Sequence, residues 1–199
     1  MDPLPMISQT DSSVGNQSES IVALRPNVSQ REALAAFGDS SLSGLYWRAV
    51  RGPLQKLALM YVPFFLYHVR YEVGVTQHSR WLALDRVRGA LDLFEFPSEP
   101  TKEQLIQVES RNHVLPSLDE TAAEIVLREK LLRIIFQQGF FRVRGLRLQI
   151  QKSAIEFSMP YWLGLYGPDG GLRCRVMDAV RRRMEGEKAA ELFENWLAA

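Results

Sequence analysis

The sequence of 199 residues contains very little cysteine and histidine, on which many metal sites and nucleophilic sites depend. The single cysteine, Cys174, cannot form a disulfide within the chain. The three histidines, His68, His78 and His113, are too scattered along the chain to indicate a metal-ligand cluster. The sequence therefore predicts neither a metal nor a cofactor.

The sequence also lacks a long apolar run and a secretory signal. No stretch reaches the ~18 consecutive apolar residues that a membrane-spanning helix needs. The longest apolar stretch, from Leu57 to Tyr67, has the length of one or two buried strands. The N-terminus has no basic region followed by an apolar core. We therefore expect a cytoplasmic protein without a membrane span.

The composition is typical of a globular protein with a disordered tail. Hydrophobic residues make up 46% of the chain and charged residues 24%, which suits one large domain or two small ones. The formal net charge of +1 gives no general preference for polyanions. Residues 1–28 are rich in Ser, Gln, Asn and Pro, and we predict that they form a disordered tail.

Two parts of the sequence resemble each other, which indicates an internal duplication. Residues 54–66 and 150–163 both read apolar-Gln-Lys, then an apolar stretch, then Pro-aromatic-aromatic-Leu. Residues 84–88 and 177–181 both read apolar-Asp-x-Val-Arg. The matches occur in the same order in both copies, and a helical segment precedes each.

The duplication leads to a prediction of the fold class. We predict an α+β fold in which two pseudo-repeated helix-β-β-β units form a mainly antiparallel sheet of about six strands, with helices packed on it. The first repeat spans residues 29–96, a linker 97–116 and the second repeat 117–199, and together the repeats form one compact domain.

Two helix starts are visible as capping residues. Ser29 is placed to cap a helix that begins near Gln30, because a serine hydroxyl satisfies a free backbone N–H. The residues from Ser117 to Glu120 form a capping box before an apolar pattern of helical period.

One turn has a family likeness. The turn Asp85-Arg86-Val87-Arg88-Gly89 resembles the end of the strand-turn-strand in PepSY modules, which often close with an Asp-x-x-x-Gly turn. The second copy departs from this pattern, with Arg182 in place of the glycine. The likeness covers one hairpin and implies no activity.

The matched carboxylates Asp85 and Asp178 are candidates for a small-molecule site between the repeats. Close carboxylates can share a proton or bind a cation, and His68 and Arg70 share one strand face that would add polar groups. The competing interpretation is that each aspartate ends a strand and caps the following turn through its backbone.

Arginines of the second copy are candidates for anion binding. Arg142 and Arg144 are two residues apart, as are Arg173 and Arg175, so each pair shares one face of a strand. A combined patch would suit phosphate groups or an acidic protein. Without a recognition-helix motif, a nucleic-acid partner is only an alternative. Arg173 and Arg175 also flank Cys174, where they would lower the thiol pKa.

Adjacent aromatic residues indicate an interaction surface. Phe64 and Phe65, and likewise Tyr161 and Trp162, point to opposite faces of a strand, so a helix or another subunit must cover one of each pair. No catalytic motif is visible, so we lean against an enzyme. We predict a non-enzymatic protein-interaction or scaffold module that binds a partner protein or itself. The alternatives are a small-molecule-binding protein or unrecognised enzyme, and a nucleic-acid binder.

Overall fold

The computed structural model describes residues 18–38, 49, 52–73, 75–91, 93–137, 146–167 and 173–198. The helices and strands in these ranges are, in chain order, β1 (Glu19–Leu24), α1 (Gln30–Phe37), β2 (Leu54–Val73), β3 (Thr76–Asp85), β4 (Phe94–Phe96), β5 (Leu105–Ser110), α2 (Glu120–Gln137), β6 (Arg147–Tyr166), β7 (Arg173–Asp178), β8 (Arg183–Met184) and α3 (Glu187–Ala198).

The strands form one mixed sheet that curls into a half-barrel. Its order is β4-β3-β2-β6-β1-β5, with β7 on β6 and β8 on β7. β1 runs parallel to β6 and antiparallel to β5. The predicted fold, a mainly antiparallel sheet of two helix-β-β-β units, is therefore wrong. β1 lies in the segment predicted to be a tail and β5 in the segment predicted to be a linker, because both strands are only six residues long and adjoin polar segments of the sequence.

The long strands β2 and β6 place the matched sequence segments around an approximate two-fold axis. In their antiparallel register Val62 pairs with Met159, and on either side Tyr61 pairs with Pro160 and Pro63 with Ser158. Each matched proline therefore lies one position from the central pair, on opposite strands.

The approximate symmetry extends to β1 and β5. Glu19 pairs with Ser110 and Ser20 with Glu109, so the same dipeptide meets its counterpart across the two strands. Both segments also contact a long strand in parallel. Ala23 of β1 pairs with Ser158 of β6, and His113, three residues after β5, pairs with Tyr61 of β2.

Each of the first two helices covers the hairpin that follows the other helix. Before α1, the N–H of Val28 donates to the carbonyl of Ala179, at the end of the β6–β7 hairpin (3.1 Å). Before α2, the N–H of Leu118 donates to the carbonyl of Arg86, at the end of the β2–β3 hairpin (2.7 Å). Each of these helices therefore packs on the hairpin of the other half rather than on the strands that directly follow it.

The core lies on both faces of the sheet. The inner face, which we define by Met60, Val62, Phe64 and Leu66 of β2, holds the largest cluster and is covered in part by α3. The outer face is covered by α1 over β6 and β7 and by α2 over β2 and β3.

The two outer clusters differ in which partner of an equivalent helix–strand contact is large. In one half the helix residue is large and the strand residue small, and in the other half the order is reversed. A Cβ atom at Gly164 of β6 would lie 2.6 Å from the ring of Phe37 of α1, so glycine is required there. In the other half, β2 has the large Tyr67 at the matching position, and α2 has the smaller Leu127. Each half thus combines one large and one small residue, which keeps the packing dense.

Candidate functional site

Asp85 is fully buried, and its carboxylate closes the turn after β3. Oδ1 accepts hydrogen bonds from the N–H groups of Val87, Arg88 and Gly89 at 3.2, 3.0 and 2.9 Å, and Oδ2 accepts one from Leu91 at 2.9 Å. Both carboxylate oxygens are therefore committed to the backbone of the turn.

Asp178 has the same role after β7 and is also fully buried. Its Oδ1 accepts from the N–H groups of Val180 and Arg181 at 2.8 Å each, and its Oδ2 accepts from Nε of Arg181 at 2.6 Å. The fourth residue after each aspartate is left-handed, with φ of 60° at Gly89 and 58° at Arg182. The same turn geometry is thus present in both halves, even where arginine replaces glycine.

The four aromatic residues predicted to form an interaction surface lie in the interior. Phe64, Phe65, Tyr161 and Trp162 are between 0% and 7% exposed. The indole N–H of Trp162 donates to the carbonyl of Val28 at 2.9 Å, so its polar atom is also satisfied within the chain. Helices of the same chain cover these residues, which is one of the two possibilities that the sequence left open.

The predicted anion-binding arginines are only partly described. Arg142 and Arg144 lie outside the described residues. Arg173 forms an ion pair with Glu194 of α3 at 2.8 Å, and Arg175 lies over the ring of Phe37 at 6.0 Å.

The single cysteine, Cys174, is also buried. Burial raises the pKa of the Cys174 thiol to about 12, although the flanking Arg173 acts in the opposite direction. The effect of desolvation on the thiol pKa thus outweighs the lowering of that pKa by neighbouring arginines, which the sequence suggested.

The other two predicted site residues, His68 and Arg70, lie at the far end of the inner face, where the core cluster stops. There β3, β2 and β6 present three rows of mostly polar side chains. We call this surface the polar end; its rows are His68, Trp81 and Gln151, then Arg70, Ser79 and Gln149, then Glu72, Gln77 and Arg147. Asp85 and Asp178 do not belong to it, so the structure does not bring the four predicted ligand residues together.

Several contacts fix the side chains of the polar end. The ring of His68 stacks on Trp81, with centroids 4.5 Å apart and planes 14° apart. Nε2 of His68 is 2.8 Å from Oγ of Ser79. The amide of Gln77 donates to the carboxylate of Glu72 at 3.1 Å. These contacts leave the central arginine, Arg70, exposed between organised neighbours.

A depression of about 450 Å³ lies at this surface. Its lining combines residues of the polar end with Tyr71 and His78, whose rings stack on the outer side at 4.6 Å. Every lining residue has a hydrogen-bonding group, so the depression suits a polar ligand.

The Ser79–His68 pair has the distance of a nucleophile and its general base. Among the described residues, no carboxylate contacts Nδ1 of His68 to orient the ring. Ser79 lies within the regular antiparallel pairing of β2 and β3, so its neighbouring N–H groups do not converge into an oxyanion hole. The contact with Ser79 fixes the position of the imidazole.

The polar end exists because the first hairpin is longer than the second. Twenty residues lie between the paired residues Phe64 and Asp85, and sixteen between the equivalent pair Tyr161 and Asp178. Where His68 lies in the first half, the second half has Leu165, 5% exposed in the cluster that α3 covers. The sequence indicates the alternating polar face of β2, but the contribution of β6 depends on a strand register that no local pattern gives.

No family model matches the chain, and no match was found among the curated proteins or the solved structures. Within the described ranges, no three or more His, Cys, Asp or Glu side chains are grouped so that they can hold a metal ion. None of the helices that the structure describes is both long and apolar enough to cross a membrane.

Proposed function

We propose that this protein is a non-enzymatic protein-interaction module whose polar end receives an acidic segment of a partner protein. The observation that carries this proposal is the extra length of the β2–β3 hairpin. The extension buries Val69 and Tyr71 on its outer face against α2, whereas its inner face is exposed and polar. The inner surface of the extension contributes little to the core and is therefore accessible to a partner.

The charges of the polar end favour an acidic ligand. Arg70 and Arg147 are exposed, and neither makes an ion pair with another described residue. The acidic member of the surface, Glu72, is engaged by the amide of Gln77. Guanidinium groups bind carboxylates through paired hydrogen bonds, and the amide of Gln149 adds a donor between the two arginines.

A protein segment fits this surface better than a small molecule does. The volume lies within the range of small-molecule sites, but such sites enclose most of their ligand, whereas this depression is open to solvent. The alternative site between the halves is less favoured, because Asp85 and Asp178 are inaccessible and bind the backbone. The nucleic-acid alternative is also less favoured, because Arg173 is paired within the chain.

We attribute the approximate two-fold symmetry to an internal duplication of a strand, a helix and a hairpin. Support comes from the equivalent contacts of Val28 and Leu118 and from the equivalent turns at Asp85 and Asp178. Because each half lacks the helix that covers its hairpin, we expect separately expressed residues 1–104 and 105–199 to associate on mixing. Two halves that fold as separate monomers would contradict it.

The binding proposal can be tested with an acetylated and amidated hexapeptide of alternating Glu and Val. Calorimetric titration of the full chain should detect binding that weakens with salt. Arg70→Gln or Arg147→Gln should each reduce the affinity about tenfold, which corresponds to about 1.4 kcal/mol.

Arg128→Gln is the matched control, because Arg128 is an exposed arginine of α2 that pairs with Glu124 away from the polar end. It should leave the affinity unchanged. Equal losses in all three variants, or no binding at millimolar peptide, would contradict the proposal.

A further inference from the structure

In the part of the chain that the structure describes, one side of β6 is unpaired beside the polar end. β6 pairs with β2 along its length, and its other side carries β1 at Ser158 and β7 from Tyr161 to Tyr166. Between Arg147 and Lys152, no strand among the described residues occupies that other side.

The open edge has a defined end. Immediately after Lys152 the pairing of β2 and β6 shifts register, and Ser153 turns away to donate a hydrogen bond to Glu99. The N–H of Ile155 donates to Oγ of Ser153 at 3.0 Å, which closes the irregular segment. The regular edge is thus about six residues long, the usual length of a strand.

The edge is held in place and chemically suited to an acidic strand. Leu148 and Ile150 pack on the outer face against the cluster under α2, which keeps β6 extended. In an edge strand, alternate residues direct their N–H and C=O groups outward, where another strand can pair with them. The inner-face side chains along this edge are Arg147, Gln149 and Gln151.

We propose that the acidic segment binds as an extended strand added to β6 between Arg147 and Lys152. Its alternate side chains then lie on the inner face, where carboxylates meet Arg147 and the amides of Gln149 and Gln151, within reach of Arg70. Main-chain hydrogen bonds give affinity in such strand addition, and the alternate side chains give specificity. This inference rests on the proposed function and names the form of its partner.

Backbone N-methylation of the peptide separates strand addition from simple charge attraction. Two versions of the Glu-Val hexapeptide keep all carboxylates but are methylated on one or the other alternating set of amides. Strand addition predicts that one version binds about tenfold or more weakly than the unmodified peptide, because its paired N–H groups are lost, and that the other binds nearly normally.

Amide exchange measured by NMR on the full chain gives a second readout. Alternate amides between Arg147 and Lys152 should exchange more slowly with the unmodified peptide bound. The amides of β5, also an outer strand of the sheet, should not change, because that edge carries Glu109 rather than arginine. Equal binding of all three peptides without this protection overturns strand addition alone. Failure of all three to bind overturns the proposed function as well.

Discussion

Replacing Asp85 with alanine should destabilise the protein far more than the loss of an ordinary surface carboxylate. The carboxylate accepts four backbone hydrogen bonds, of which those from Gly89 and Leu91 lie in buried surroundings. A hydrogen bond to a charged group contributes about 1.5–3 kcal/mol, and water replaces it poorly where the donor is buried. Counting only the two buried donors, we expect the free energy of unfolding to fall by about 4 kcal/mol. That is a large share of the ~5–15 kcal/mol of a typical domain.

Urea unfolding followed by circular dichroism measures this loss. The matched control is Asp119→Ala at the exposed start of α2, where one hydrogen bond to the N–H of Ala122 at 2.8 Å is lost, at a cost of about 1 kcal/mol. An Asp85→Ala variant no less stable than this control would show that the buried hydrogen bonds of Asp85 do not stabilise the fold as expected. If it also lost peptide binding, Asp85 would belong to the recognition site, as one interpretation of the sequence held.

Three further predictions concern packing, the thiol and the turns. Gly164→Ala should cost about 2 kcal/mol through its 2.6 Å contact with Phe37, and Phe37→Leu in the same chain should recover part of that loss in urea unfolding. Because burial raises the pKa of Cys174 to about 12, a disulfide reagent at pH 8 should modify the folded protein at least about a hundredfold more slowly than the unfolded protein, and equal rates would refute this. Gly89→Ala should destabilise the protein by about 2 kcal/mol or more, because the φ of Gly89 is positive and a Cβ there would lie 2.6 Å from α2. Arg182→Gly, in the equivalent turn, should change the free energy of unfolding by less than about 1 kcal/mol. A larger loss from Arg182→Gly than from Gly89→Ala would contradict this.

The local features of the fold were predictable, because they depend on neighbours in sequence. Ser29 caps α1 as expected, and its hydroxyl and Glu32 form a full capping box. At the start of α2, however, the N–H of Ala122 is capped by Asp119 rather than by Ser117, whose hydroxyl instead donates to the carbonyl of Val87. A capping sequence indicates where a helix begins, but tertiary contacts decide which of its residues caps it.

The arrangement of the sheet was not predictable from local patterns. β1 buries only the end of its six residues and has no strong alternation, so it reads as part of a polar tail. The exchange of helices between the hairpins depends on single contacts such as that of Val28 with Ala179, far apart in sequence. The same limit applies to the polar end, where Arg70 lies beside Gln149 only because β2 and β6 pair in one particular register.

Amide chemical shifts report directly whether the polar end binds an acidic segment. The isotope-labelled full chain is titrated with the Glu-Val hexapeptide. We expect the shifts to move first and most around Arg70, Ser79 and Gln149, and to move little around α1 and α3. Shifts concentrated elsewhere, or none at millimolar peptide, would contradict it.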